Sequence, residues 1–247
     1  MIKGIILAGG RGTRLRPFTH IINKHLLPVY DKPLIYYPLL AMKDAGIKEV
    51  LLTCNKEDLP SFKKLLGDGA EFGIHISYAT QEEPKGITDA LGLAEKFAGG
   101  SKVAVMLGDN VFTDHEQIKK GIAAFANEKG ARLFLKEVSD PERFGVAHVE
   151  NSKIIAIVEK PQNPKSNLAV TGLYLYDPDV FEIVKTVKPS ARGELEITDV
   201  NNHYIEKGAV QHEIVGGEWV DAGTFDSLVR ASVLMLNKNK EFPIELG

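Results

Sequence analysis

Residues 2–16 read IKGIILAGGRGTRLR, an apolar run that breaks into a turn rich in glycine and arginine. Four apolar residues in succession, Ile5, Ile6, Leu7 and Ala8, predict a strand buried on both faces, as in a parallel sheet covered by helices. Gly9, Gly10 and Gly12 then let the backbone turn sharply and approach a ligand closely. Free N–H groups in such a turn converge on an anion, and Arg11, Arg14 and Arg16 add fork-shaped donors suited to phosphate. The first 32 residues hold six basic side chains against the single acid Asp31, within a chain of net charge −3. Positive charge is therefore concentrated at this turn. The dinucleotide fingerprint GxGxxG is absent, because Leu15 stands where its third glycine belongs, and the GK[ST] of a Walker loop is missing too. A nicotinamide-dependent dehydrogenase falls behind on that ground.

Working outward, strand-like and helix-like patterns alternate: strand 2–8, helix 34–45, strand 49–54, helix 57–66, strand 74–79, helix 87–97 and strand 102–107. This rhythm predicts an α/β fold with a mostly parallel central sheet flanked by helices. Ligands in such sheets bind beyond the carboxyl ends of strands, where both the glycine turn and the acid of LGDN (107–110) fall. A helix is predicted at 115–128 and a strand at 131–138. From 145 the pattern turns to short strands, GVAHVE, KIIAIVE and LAVTGLYLY, which predict a smaller β extension. Helices at 179–187 and 195–207, a strand at 209–215 and a closing helix at 224–239 follow, the last with Leu228, Val229, Ala231, Leu234 and Met235 on its apolar side. The expectation is one domain over residues 1–247, with about 1–110 as one part and 111–247 as the other.

A content of 44% hydrophobic and 26% charged residues is that of an ordinary soluble protein. The near-balanced charge argues against a nucleic-acid polymer as partner, which needs a broad basic face. Cys54, the single cysteine, excludes an internal disulfide and reads as a buried core thiol. No leader and no membrane-length apolar run is visible, so a cytoplasmic location without a membrane partner is expected.

Eight motifs now stand in order: LAGGRGTRL, NKHLLPVYDKPLIYYPL, QEEPKGITDAL, LGDNVF, DPERFGVA, VEKPQNPKSNLAVTGLYLYD, PSARGELEITDVNNHY and WVDAGTFDSL. Together they resemble the glucose-1-phosphate thymidylyltransferases, from residue 2 to about residue 231. The resemblance implies a single-domain Rossmann-like nucleotidyltransferase fold with a sugar-binding extension. It also implies a reaction in which α-D-glucose 1-phosphate attacks the α-phosphorus of dTTP with Mg²⁺, giving dTDP-glucose for dTDP-deoxysugar and surface polysaccharide synthesis. Such a reaction needs no general base, since a phosphate monoester is mostly dianionic at pH 7. It needs positioning and preorganised cations.

Carried over residue by residue, the resemblance implies a nucleotide site of Leu7, Ala8, Gly9, Gly10, Gly12, Thr13, Arg14, Gln81, Pro84, Gly86 and Asp109. Arg14 and Lys24 would serve the phosphates during attack. Asp109 and Asp221 would hold the metal, two acids far apart in sequence and each ending an apolar run; Asp109 alone could instead cap a helix. Gln81 and Gly86 would read the base, although GITDA departs at Thr88 and Asp89 from the family's more usual GLAQA. Gly145, Glu159, Lys160, Val170 and Arg192 would hold the hexose and its phosphate. His25 is assigned no chemistry, and Trp219 reads as core or pocket wall. The chain ends at Gly247, where long-form relatives continue into a feedback site, so a short form is expected. Family members assemble as symmetric oligomers, so a homodimer or homotetramer is expected, with Tyr36 and Tyr37 in the core rather than at the interface. Competing readings are the same chemistry with UTP or another substrate pair, and a non-catalytic sugar-nucleotide-binding regulatory subunit.

Overall fold

The run after Met1 forms β1 (Ile2–Ala8), and its position in the sheet explains why its carboxyl half, Ile5–Ala8, is apolar at every residue. In the computed structural model, which describes residues 1–83 and 85–238, β1 pairs in parallel with β4 on one side and β6 on the other. Ile6 and Ala8 enter one buried cluster and Ile5 and Leu7 the other, so both faces of the strand are covered.

In chain order the elements are β1, β2 (Pro28–Val29), β3 (Lys32–Pro33), α1 (Tyr36–Asp44), β4 (Glu49–Asn55), α2 (Leu59–Leu66), β5 (His75–Gln81), α3 (Ile87–Gly92), α4 (Glu95–Ala98) and β6 (Lys102–Leu107). Then come β7 (Asn110–Phe112), α5 (His115–Phe125), β8 (Ala131–Glu137), β9 (Gly145–Glu150), β10 (Lys153–Glu159) and β11 (Leu168–Tyr176). The chain continues through α6 (Val180–Val184), α7 (Ile197–Glu206), β12 (Val210–Ile214), β13 (Trp219–Asp221) and α8 (Phe225–Lys238). Strands β6, β1, β4 and β5 run parallel side by side. The chain moves outward from β1 to β4 and β5, then returns to β1's other edge with β6. That reversal is a topological switch point, and the carboxyl ends of β1 and β6 meet there, with Leu7 opposite Leu107.

The extension joins the sheet through β11, which pairs antiparallel with β6 at Leu173–Tyr176 and with β9 at Ala169. The β9–β10 hairpin turns at Asn151 and Ser152, both at positive φ (48° and 62°), as a tight primed turn demands. A parallel pair, β8 and β12, completes this half.

Some elements differ from expectation for local reasons. The helix expected over 87–97 is broken into α3 and α4; Gly92 ends α3, and a Cβ there would lie 3.2 Å from the Val184 side chain. In the closing helix Leu228, Ala231, Leu234 and Met235 pack on a third core, but Val229 is 57% exposed. One residue on from Leu228 is a rotation of about 100°, which takes Val229 off the buried face. Residue 239, expected in that helix, lies outside the described residues. Cys54 and Tyr37 are buried, and Tyr36 packs edge-on against Phe72, so this aromatic pair belongs to the core. Among the described residues no helix is long and apolar enough to cross a membrane.

Candidate active site

The switch point opens into a cavity of about 760 Å³ lined by Leu7, Gly9, Gly10, Gly12, Thr13, Arg14, Lys24, Gln81, Gly86, Asp109 and Asp221, with His25, Lys85 and Glu194 among the others. A second cavity, of about 130 Å³, is lined by Gly145, Glu159, Lys160, Val170, Tyr174 and Trp219 among others. Arg14, Ile87, Leu107 and Asp221 line both, so the two cavities share a wall.

The wall is assembled from distant parts of the chain by short pairings. Strand β13 pairs antiparallel with β7, placing Asp221 opposite Asn110, and the Ala222 N–H donates to the Asp109 carbonyl (2.8 Å). That single register brings the two acids to one place. Asn110 then acts as a knot: its Nδ2 donates to Asp109 Oδ1 (3.1 Å), while its Oδ1 accepts from Trp219 Nε1 (2.6 Å) and from the Gly172 N–H (3.0 Å). A Cβ at Gly172 would lie 2.6 Å from Asn110 Oδ1, which accounts for glycine in the middle of β11.

Asp109 is 5% exposed, and its Oδ2 accepts a hydrogen bond from Lys24 Nζ. Burial alone raises a carboxyl pKa, but the Lys24 ammonium and the Asn110 amide outweigh it and hold Asp109 well below the usual carboxylate range. Asp221 behaves oppositely. Burial, reinforced by the charge of Asp109 and opposed by Lys24, Arg14 and Arg143, raises it to about 6.

The glycine turn serves the protein's own side chains as well. At Gly12 (φ 59°) a Cβ would meet Thr19 at 2.9 Å and Lys24 at 3.1 Å, so the turn makes room for the lysine to reach Asp109. At Gly223 a Cβ would lie 2.6 Å from Arg14 Nη2 and 2.8 Å from Asp221 Oδ1. His25 lines the larger cavity, its Nδ1 donating to Asn23 Oδ1 (2.7 Å); burial and Lys24 lower its pKa to about 3, so the ring is neutral.

Two expected site residues line neither cavity. Ala8 is fully buried behind the cavity rather than on its wall, because the strand's alternation turns it into the core. Arg192 lines neither cavity; its guanidinium is drawn to three carboxylates, Glu196 (2.7 Å), Glu159 (3.3 Å) and Glu194 (3.4 Å). Pro84 lies outside the described residues. Residues that the sequence reading passed over are Asn110, Arg143, Tyr174 and Thr198, the last donating to Glu159 Oε2 (2.6 Å). Asn110 lay next to the acid of LGDN, which was the only signal available.

A model of the nucleotidyl transferase family matches residues 3–238. The chain is 50% identical to the glucose-1-phosphate thymidylyltransferase of Neisseria meningitidis serogroup A over 94% of this chain and 81% of that protein. It is 45% identical to that of Mycolicibacterium smegmatis over the same shares. Among solved structures, a candidate glucose-1-phosphate thymidylyltransferase from Bacillus anthracis, crystallised with sucrose, superimposes with a TM-score of 0.91 at 47% identity, covering 99% of this chain and 98% of that one. A UDP-glucose pyrophosphorylase holding UDP-glucose gives 0.86 at 27% identity, covering 97% and 100%. On this likeness, and on a basic glycine turn facing two acids across a shared cavity wall, the chain is an enzyme of the nucleotidyl transferase family, within its glucose-1-phosphate thymidylyltransferase branch.

Proposed function

We propose that the protein transfers a thymidylyl group from dTTP to α-D-glucose 1-phosphate, releasing pyrophosphate and forming dTDP-glucose, a precursor for dTDP-deoxysugars. The observation that carries this reading is the wall common to the two cavities: Arg14 and Asp221 stand where a nucleotide on one side and a sugar phosphate on the other would meet. An oxygen of the sugar phosphate forms a bond to the α-phosphorus as the bond from that phosphorus to the bridging oxygen of the β-phosphate breaks. The electron pair leaves with pyrophosphate, and no proton needs to be removed from the nucleophile. Lys24 and Arg14 supply fixed positive charge to the phosphates, and the glycine turn supplies N–H donors. Glu159, held by the Thr198 hydroxyl that donates to its Oε2, accepts from sugar hydroxyls.

The acids fit Mg²⁺. Mg²⁺ is commonly held by one or two carboxylates plus substrate phosphates, and Asp109 and Asp221 both line the larger cavity. Asp221, raised by burial and then by the charge of Asp109, is a carboxylate whose ionised form a divalent cation would stabilise. Asp109 and Asp221 would hold it, and it would add charge stabilisation to the transferring phosphoryl group.

The test is pyrophosphate release from the purified protein with glucose 1-phosphate and Mg²⁺, supplied in turn with dTTP, UTP, CTP, ATP and GTP, with and without EDTA. Metal-dependent turnover favouring dTTP is expected. A preference for UTP, which shares its base with the UDP-glucose held by the structural relative named above, would transfer the reading to that base. No release from folded protein would leave a non-catalytic sugar-nucleotide-binding subunit.

A further inference from the structure

Among the residues at which GITDA departs from GLAQA, Asp89 touches the side chain of a residue on the wall of the larger cavity. Gln81, at the end of β5, is 4% exposed and lines the larger cavity. Its Nε2 donates to Asp89 Oδ2 (3.2 Å). Asp89 sits in the first turn of α3, which is anchored at Thr88, whose N–H donates to the Leu195 carbonyl (3.1 Å).

An ionised carboxylate only accepts hydrogen bonds, whereas a carboxamide can offer either end to a partner. Asp89 therefore dictates which way round the Gln81 amide stands. Its nitrogen faces Asp89, and its oxygen faces Gly9, where a Cβ would lie 2.0 Å from Oε1. Glycine at that position leaves room for the carbonyl in this orientation. Turning the amide over would set its oxygen against the carboxylate of Asp89, leaving two acceptors facing each other.

Resting on the nucleotidyl-transfer reading above, we infer that Asp89 is a specificity-determining residue acting through Gln81: it fixes the carboxamide in the orientation that pairs with thymine or uracil and not with cytosine. The edge of thymine and uracil offers a ring N–H beside a carbonyl, the complement of an amide oxygen beside its remaining N–H. Cytosine offers a ring acceptor beside an amino group, the reverse order. Asp89 does not touch the base, so its role is to position Gln81.

The experiment is equilibrium binding of dTTP, UTP and dCTP with Mg²⁺, without sugar phosphate, to the wild type and to Asp89→Asn and Asp89→Glu. The wild type is expected to favour dTTP and UTP over dCTP by about tenfold or more, the scale of one reversed bidentate base contact. In Asp89→Asn the side chain can accept or donate, the Gln81 amide is free to turn, and the gap is expected to shrink severalfold through tighter dCTP binding. Asp89→Glu keeps an acceptor-only group and is expected to retain more of the preference than Asp89→Asn. A gap unchanged in Asp89→Asn, or a preference lost more fully in Asp89→Glu, overturns the inference while dTTP binding leaves the nucleotide reading standing. Failure of the wild type to bind any of the three overturns both.

Discussion

Replacing Gly86 by alanine demands a backbone conformation that an L-residue resists, at a point where the chain has no room to yield. Gly86 has φ 114° and ψ 174°, a region essentially confined to glycine, and forcing another residue there costs about 1–3 kcal/mol. The added Cβ would lie 2.5 Å from the Leu195 carbonyl oxygen and 2.7 Å from its nitrogen. These are backbone atoms and cannot rotate aside. The segment around Leu195 must retreat, breaking the Leu195 N–H bond to the Lys85 carbonyl (2.8 Å) and the Thr88 N–H bond to the Leu195 carbonyl (3.1 Å). At about 0.5–1.5 kcal/mol each, those bonds bring the total to roughly 2–6 kcal/mol. Gly46 is the control, because its φ is also positive (85°) but a Cβ there meets nothing within 4 Å. Urea denaturation compares global stability, and trypsin under native conditions reports cleavage after Arg192, whose segment loses its anchor. Gly86→Ala is expected to be less stable than Gly46→Ala, cut faster at Arg192, and at least tenfold weaker for nucleotide. Equal stability and equal cleavage in the two variants would refute the account of Gly86 as a backbone clasp.

The other predictions concern the charged groups. Lys24→Met strands the buried Asp109 carboxylate and is expected to cost roughly 3–5 kcal/mol at pH 7, measured by urea denaturation, with Asp109→Asn in the same chain restoring much of it. Because Asp109 is held below its ordinary range, the wild-type pair contributes fully above about pH 4 and its contribution is lost as pH falls further; the Lys24→Met variant should lack that acid sensitivity. Asp221 runs the other way: with its pKa raised from 3.8 to about 6, the folded state holds the extra proton, so stability falls as pH rises through that window. Asp221→Asn removes this loss and, in EDTA at pH 7.5, is expected to unfold at higher urea than the wild type, while with Mg²⁺ it loses turnover; lower stability in EDTA would refute the assignment.

How much of this was legible from the sequence depended on the range of each interaction. A strand covered on both faces leaves a continuous apolar run, so β1, β4 and β6 could be read locally. The three-residue strands β7 and β13 are too short for any periodicity, yet their pairing brings Asp221 to Asp109. The motif acids could thus be listed, but not the reason they meet. Asn110 was invisible because all the meaning of its amide lies in partners on two other strands and the neighbouring acid. Arg192 shows the same limit: the family's motif gave it the sugar phosphate, while its pairing with Glu159, Glu194 and Glu196 emerges only from the fold.

The wall shared by the two cavities has a consequence for turnover. Under the proposed reaction the substrates arrive as separate molecules, each losing its freedom of motion on binding, whereas the product spans both cavities as one tethered molecule. Once its nucleotide end is seated, its sugar end is presented to the neighbouring cavity at a high effective concentration. The architecture that aligns two reactants therefore also retains what they become. Release of the sugar nucleotide is then exposed, together with formation of the new phosphate bond, to changes at the shared residues Arg14, Ile87, Leu107 and Asp221.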